Sequence, residues 1–201
     1  MNLIRLFILF LFPTLLFAQR PGFEQGKLKL SFGSESEVVI SGSSNVTGFT
    51  CIYQQDISCR GLVVEGDFEK NAIVLSNATL SLESCGFDCG NILMNKDFRH
   101  TIKSKEHPEI LMEIHELHFE CRPEKDGEEV KVKALVHLTV AGVKKVYSIN
   151  AKSTLSENNL FVTGLFSVYM TDFCLSPPSL MFGMVTVDPI LEIGFHFVLS
   201  N

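Results

Sequence analysis

Apolar and polar residues alternate with a period of two over residues 130–140. The apolar positions are Val130, Val132, Ala134, Val136, Leu138 and Val140. Because successive side chains of a strand point to opposite faces, this pattern predicts a long strand with one buried face. The turn signal Ala141-Gly142 follows, and then residues 144–151. We therefore predict an antiparallel hairpin in which residues 144–151 pair with the first strand.

Shorter extended runs recur along the rest of the chain, separated by glycines and polar pairs. They cover residues 28–32, 37–40, 49–53, 61–64, 73–75, 78–82, 160–170 and 190–199. Phe195 and Phe197 share one face of the last run. This rhythm is typical of a single all-β domain, for which a barrel and a sandwich are the candidate architectures. Since closing into a barrel removes exposed sheet edges, we favour the barrel.

One segment, residues 91–105, has a helical period instead. Its apolar residues at i, i+4 and i+8 are Met94, Phe98 and Ile102. Asn91 is a candidate N-cap, Lys103 and Lys105 suit the C-terminal end of the helix dipole, and Pro108 stops the helix. We predict one helix that packs its apolar stripe against the domain core.

The N-terminus has the pattern of a secretory signal. Arg5 precedes an apolar run over residues 6–17, which is too short to span a bilayer as a helix. We predict that residues 1–18 are a signal peptide cleaved after Ala18. The mature domain, residues 19–201, is then periplasmic or secreted and has no membrane span. An uncleaved anchor and a buried first helix are the alternative interpretations.

Composition narrows the class of protein. The chain has 201 residues, of which 46% are apolar and 20% are charged, enough for one domain with a substantial core. The formal net charge is −6 and no basic block occurs, which argues against general nucleic-acid binding.

Export also changes how the cysteines are interpreted. An even number of cysteines in an oxidising compartment favours disulfides, and we predict at least one. Cys51 and Cys59 are close enough in sequence to be a candidate pair. A zinc site is the competing interpretation, but no C-x-x-C pair occurs. A redox role for Cys85 and Cys89 is a third interpretation of the cysteines. The six cysteines are Cys51, Cys59, Cys85, Cys89, Cys121 and Cys174.

Motifs of common enzyme classes are missing from the sequence, including the G-x-S-x-G elbow and the glycine-rich nucleotide loops. The nearest metal-like motif contains His115 and His118. On a regular strand these two side chains point to opposite faces, so they cannot share an ion unless the strand bulges. Asp172 has no assignable base partner, and we interpret it as a turn-capping residue. We predict a binding protein with no catalytic residue, no metal and no cofactor.

Several short motifs along the chain point to one known family. Residues 170–183 have the sequence MTDFCLSPPSLMFG, in which Asp-Phe is followed by a proline-containing loop. This motif resembles the signature of YceI-like proteins, in which an Asp-Phe strand end leads into such a loop. Residues 138–145, LTVAGVKK, resemble its hairpin, and residues 96–98, KDF, resemble part of its helix. Residues 107–110, HPEI, resemble its helix exit. Residues 46–49, VTGF, resemble an element near the family's N-terminus, with the spacing one residue shorter.

The resemblance implies an extended, lipocalin-like antiparallel β-barrel of about eight strands with one helix at its side. In that family the barrel interior holds a long isoprenoid or another amphiphilic lipid chain. This chain departs from the pattern in two ways. Cys174 stands where a glycine often follows the Asp-Phe pair, and six cysteines exceed the family's usual number.

We predict a carrier whose partner is an apolar small molecule, an isoprenoid or similar lipid, held inside the barrel. The alternative is a barrel filled by its own side chains that serves as a structural, stress-related or interaction domain. The sequence leaves the oligomeric state open. The predicted lining residues come from the helical stripe and from inward-facing strand positions. They are Met94, Phe98, Ile102, Ile110, Met112, Ile114, Val132, Ala134, Val136 and Leu138.

Overall fold

The structure is a computed structural model that describes residues 28–59, 63–64, 72–121, 125–156, 159–180 and 184–200. Within these ranges the chain forms one α-helix, α1 (Ile92–Thr101), two short 3₁₀ helices (Ser84–Gly86 and Met170–Phe173) and fourteen β-strands. The strands are β1 (Leu28–Lys29), β2 (Ser31–Phe32), β3 (Glu37–Ser44), β4 (Gly48–Tyr53), β5 (Ser58–Cys59), β6 (Val63–Val64), β7 (Ala72–Glu83), β8 (Phe87–Asp88), β9 (Glu109–Phe119), β10 (Glu129–Val140), β11 (Val143–Ser156), β12 (Asn159–Tyr169), β13 (Ser179–Leu180) and β14 (Val185–Ser200).

All the described strands belong to one antiparallel sheet, which confirms the predicted all-β class with a single helix. The main order is β1-β6-β7-β9-β10-β11-β12-β14-β3-β4-β8, with β2 and β13 on β14 and β5 on β7. The number of strands exceeds the expected eight because several strands are only two residues long. Conversely, two predicted runs merge into β7, whose register against β9 shifts between Val74 and Ala78.

The sheet curls so that strands distant in its order face one another. One buried cluster contains Val38 of β3 together with Leu80 and Leu82 of β7. At the rim, the Glu83 amide donates a 3.3 Å hydrogen bond to the Tyr53 hydroxyl. The ladders among the described residues do not form a closed ring, so closure into a barrel is not confirmed.

The predicted hairpin is confirmed as β10 and β11, paired from Glu129 opposite Thr154 to Val140 opposite Val143. Its turn residues Ala141 and Gly142 have φ of 49° and 75°, as a two-residue turn that matches strand twist requires. The requirement for glycine at position 142 is this left-handed φ, because the nearest atoms to a Cβ there belong to the exposed side chain of His107. The hairpin is therefore determined by local sequence.

Helix α1 begins as predicted and ends earlier. The Asn91 side chain accepts a 2.9 Å hydrogen bond from the Met94 amide, which confirms the N-cap. The helix ends at Thr101, so the prediction that it continues to residue 105 is wrong. Lys103 adopts a left-handed φ of 56°, and the Ser104 amide bonds the Arg99 carbonyl at 2.9 Å. This is a Schellman termination, which stops the helix before Pro108 does.

The predicted signal peptide lies outside the described residues. Over the part of the chain that the structure covers, no helix is both long enough and apolar enough to cross a bilayer.

Candidate ligand-binding site

A cavity of about 170 Å³ lies where α1 meets the curled sheet. Strands β3, β4, β7, β9, β10, β12 and β14 all contribute lining residues, as does the 3₁₀ helix Met170–Phe173. Helix α1 contributes Met94, Asp97, Phe98 and Thr101, and Ile102 follows at its C-cap. Their i, i+3, i+4 spacing puts them on one helical face, so this face closes the cavity.

Aromatic and aliphatic side chains dominate the lining. The Phe87 ring is almost fully buried, with its centroid 5.4 Å from that of Phe98 and 5.0 Å from that of Tyr53. Phe195 stacks on Phe197 with centroids 5.0 Å apart. Such a surface binds ligands by removing apolar area from water, and it offers few hydrogen bonds.

Polar side chains enter the lining from the helix. Asp97 and Thr101 stand one helical turn apart. Among the described lining residues, Asp97 is the one ionisable side chain, because Cys51 and Cys89 are joined in a disulfide. It is partly exposed, so a ligand that fills the cavity can place a polar group beside it at the solvent boundary.

Six of the ten sequence-predicted lining residues border this cavity. They are Met94, Phe98, Ile102, Ile110, Met112 and Leu138. Ile114, Val132, Ala134 and Val136 are not among its lining residues. They occupy the inward-facing positions of β9 and β10, paired as Ile114 with Val136 and as Val132 with Phe119. Period-two alternation identifies the face of a strand but not the position of a void along it, so it could not separate the two groups.

Several lining residues were not predicted from sequence. Phe87 lies in a two-residue strand, where no periodicity can be detected. Phe173 follows Asp172 in the motif that resembles the YceI-like signature. That resemblance did not indicate that Phe173 borders a cavity. Phe195 was recognised as facing the same way as Phe197, which is a usable signal. The other unpredicted aromatic lining residues are Phe49 and Phe166.

The predicted disulfide exists, but the candidate pairing was wrong. Cys51 of β4 bonds Cys89, which is 38 residues away and directly follows β8. Pairing between β4 and β8 brings the two backbones together, with the Cα atoms 3.9 Å apart. Cys89 is therefore not free to form a redox pair with Cys85, which is an exposed free thiol. The disulfide itself lines the cavity.

Strand β9 does bulge at His115, and His115 and His118 contact different partners. The register between β9 and β10 shifts at Leu135/Val136, so His115 is an extra residue in β9. The bulge turns its ring onto that of His137, with centroids 4.1 Å apart, while His118 pairs with Glu116 at 3.0 Å. Over the ranges that the structure covers, no group of three His, Cys, Asp or Glu side chains is arranged to hold a metal ion.

Asp172 has a specific partner. Its carboxylate accepts a 2.9 Å hydrogen bond from the Tyr147 hydroxyl. Burial, and then this hydrogen bond, raise the pKa of Tyr147 above its ordinary value. The Tyr147 ring also stacks 6.1 Å from Phe173, so the contact holds the 3₁₀ helix against β11. Cys174, which follows, has a left-handed φ of 54°, which explains why glycine suits this position.

A second depression, of about 740 Å³, is larger but chemically less suitable for an apolar ligand. Exposed charged side chains such as Lys131, Lys133 and Lys152 border it together with the exposed Leu165. A ligand there would remain in contact with water. The cavity beneath α1 is therefore the candidate site.

The fold of the chain is similar to those of several solved structures. Over 83% of its length it matches 96% of BcnA from Burkholderia cenocepacia, with a TM-score of 0.62 and 15% identity. Over 86% it matches 97% of a polyisoprenoid-binding domain from Saccharophagus degradans implicated in plant cell wall breakdown, with a TM-score of 0.61 and 11% identity. Over 78% it matches 82% of the YceI protein from Campylobacter jejuni, with a TM-score of 0.51 and 13% identity.

The chain has the YceI-like fold. The resemblance inferred from the motifs is thereby confirmed for the fold, since identities this low establish architecture alone. No protein-family model matches the chain. The comparison with curated proteins likewise found no match.

Proposed function

We propose that this YceI-like protein is an exported carrier that binds the apolar chain of a lipid in the cavity beneath α1. The observation that carries the proposal is the composition of the lining, which is apolar apart from Asp97 and Thr101 near the helix surface. Each methylene transferred from water into such a site contributes about 0.8 kcal/mol. A long chain therefore needs few polar contacts to bind tightly.

We infer that the ligand is an isoprenoid or a chain of similar flexibility. The polyisoprenoid-binding domain with the same fold supports this choice. The 170 Å³ cavity is comparable to engineered cavities of about 150 Å³ that bind benzene, so a longer chain must widen the interior. Met94, Met112 and Met170 line the cavity, and unbranched methionine side chains re-pack easily around a ligand.

We propose binding in preference to catalysis because acid–base or nucleophilic chemistry needs cooperating groups. The described lining offers one ionisable side chain, Asp97. Thr101 is the other polar side chain of the described lining, so one carboxylate and one hydroxyl are all that the lining offers to such chemistry.

The main experiment is solvent extraction of protein purified from its native host, followed by mass spectrometry of the extract. We expect one lipid class in near-stoichiometric amount. Protein that contains no lipid and takes up no farnesol or longer isoprenol from detergent would contradict the carrier function. That result would favour the alternative, a structural or interaction domain.

Two matched variants connect binding to the cavity. Val140→Phe fills space at a lining position, whereas Val146→Phe adds the same volume at an exposed position of the neighbouring strand. We expect the first variant to lose most of its bound lipid and the second to retain it. Equal lipid content in both would place the ligand elsewhere.

Export is part of the proposal, and the Cys51–Cys89 disulfide supports an oxidising compartment. N-terminal sequencing of protein from the periplasm or the medium should begin at Gln19. Recovery of the chain only in the reducing cytosol would contradict export.

A further inference from the structure

Helix α1 has two chemically different faces. Residues that line the cavity cluster on one side of the helix, and the opposite side faces solvent. An α-helix turns by 100° per residue. The outer side of α1 therefore carries Ile92, Leu93, Lys96, Arg99 and His100. All five are exposed. The helix that closes the cavity therefore presents a separate surface outward, which we call the outer face of α1.

This outer face combines exposed apolar residues with basic ones. Ile92 is 84% exposed and Leu93 is 72% exposed, more than any other large hydrophobic residue among those described. Lys96 and Arg99 follow one and two turns later. Lysine and arginine side chains are attracted to anionic lipid headgroups, and exposed aliphatic side chains gain free energy when they leave water for the membrane interface.

The basic character is local, because the whole chain has a formal net charge of −6. The helix contains one acidic residue, Asp97, which lines the cavity on the other side. Asp88 lies near Arg99 and offsets part of its charge. Lys96 has no such neighbour in the described ion pairs, and Lys103 adds a further exposed positive charge just beyond the helix.

We propose that the outer face of α1 docks on an anionic lipid surface, where Ile92 and Leu93 enter the interface and Lys96 and Arg99 contact the headgroups. The proposal rests on the carrier function above. An apolar ligand resides in a membrane before and after transport, so docking through the helix that closes the cavity brings the cavity to the source of the ligand.

Exposed apolar residues on other cavity-forming elements support a lipid partner over an acidic protein. Val46 is 69% exposed in the turn that leads to β4, which supplies the lining residue Phe49. Met184 is 66% exposed directly before β14, which supplies Val187. The Asn45 side chain joins the two segments by a 2.9 Å hydrogen bond to the Met184 carbonyl. A continuous lipid surface accommodates such separate apolar points without specific pockets.

The test is co-sedimentation with vesicles of phosphatidylcholine alone or mixed equally with phosphatidylglycerol. Exported protein with a determined N-terminus is used, so every variant has the same N-terminal residues. We expect binding to the mixed vesicles that weakens with salt. Lys96→Gln and Arg99→Gln should each weaken it about fivefold, because a basic side chain at an anionic surface contributes about 1 kcal/mol. The double variant Ile92→Asn/Leu93→Asn should weaken it at least tenfold.

Matched controls use residues of the same kind on the outer side of the sheet. Val146 and Leu165 are 61% and 62% exposed, and Lys131 and Lys133 are exposed on β10. The variants Val146→Asn/Leu165→Asn and Lys131→Gln/Lys133→Gln should bind vesicles like the unmodified protein. Thermal unfolding checks that Arg99→Gln, which removes a 3.4 Å bond to the Cys85 carbonyl, remains folded.

Absence of binding to the mixed vesicles would overturn the proposal, and so would each of three further results. The first is equal binding to both vesicle types, and the second is equal loss in the control variants. The third is salt-sensitive binding that depends on Lys96 and Arg99 but not on Ile92 and Leu93, which would contradict the insertion of these two apolar residues into the interface. Uptake of an isoprenol from detergent is measured in parallel. Failure of that uptake contradicts the carrier function, whereas failure of vesicle binding alone contradicts only the docking surface.

Discussion

Two ends of the β10–β11 hairpin share one sequence pattern but pack differently. Near the turn, Leu138 and Val140 border the cavity. We call this region, with α1 and the 3₁₀ helix Met170–Phe173, the cavity end. Further along, Val130, Val136 and Ile149 are 3%, 1% and 2% exposed and do not border it. We call these three residues the packed end. Alternation thus determines which side chains are buried, whereas the covering elements determine whether space remains beside them.

The backbone distinguishes the two ends as well. Among the described residues, three residues other than glycine have a left-handed φ: Lys103, Ala141 and Cys174. All three are at the cavity end, after α1, in the hairpin turn and after the 3₁₀ helix. Conformations of this kind cost about 1–2 kcal/mol each and are concentrated at functional sites. The cavity end therefore carries backbone strain that the packed end lacks.

The largest expected effect is at the packed end. Val136→Asp places a carboxylate where the side chain is 1% exposed, which should cost about 4 kcal/mol or more and unfold much of the protein. Val146→Asp introduces the same group at an exposed position on β11 and should cost little. Chemical denaturation measures both. A folded, stable Val136→Asp protein would show that water reaches the packed end.

A milder pair of substitutions compares the two ends directly. Ile149→Ala should cost about 2–5 kcal/mol, the usual penalty in a close-packed core. Leu138→Ala should cost less in delipidated protein, about 1–2 kcal/mol, because a side chain beside a void has fewer contacts to lose. Denaturant titration of both variants is the measurement. Equal costs, with lipid uptake unchanged in Leu138→Ala, would contradict the distinction between the ends.

Where β11 contacts the 3₁₀ helix of the cavity end, Tyr147→Phe removes the hydrogen bond to Asp172 and should cost about 1–2 kcal/mol at neutral pH. The raised pKa of Tyr147 adds a pH signature. The native state retains the phenol proton that the unfolded state releases above about pH 10, so stability should fall as pH rises above that value. The fall should be shallower in Tyr147→Phe. Tyr169→Phe removes a phenol hydroxyl at a half-exposed position and leaves the bond from Tyr147 to Asp172 intact, so it is the control for the cost at neutral pH.

The smallest expected effect tests backbone strain. Cys174→Gly relieves a left-handed φ of 54° and should raise stability by about 0.5–1 kcal/mol after the entropic cost of glycine. Cys174→Ser removes the thiol but keeps the strain, so it should give no gain. Thermal unfolding distinguishes the two. A gain in both variants would assign the effect to the thiol and not to the backbone.

Local sequence determined much of this protein. The hairpin, its two-residue turn and the N-cap of α1 follow from patterns within a few residues, because strand periodicity, turn chemistry and capping act over that range. The residues of the helical stripe, Met94, Phe98 and Ile102, all border the cavity. Motif resemblance supplied the YceI-like fold, which composition and periodicity could only narrow to a barrel or a sandwich.

Tertiary structure decided the features that depend on residues distant in sequence. Cys51 pairs with Cys89 because β8 lies beside β4, and no sequence spacing encodes that neighbour. The His115 bulge arises in the pairing of two long strands. Leu138 borders the cavity and Val136 does not. This difference depends on how far α1 and the 3₁₀ helix extend over the sheet. A void is a property of several surfaces that fail to meet, so it cannot be deduced from the pattern of any one strand.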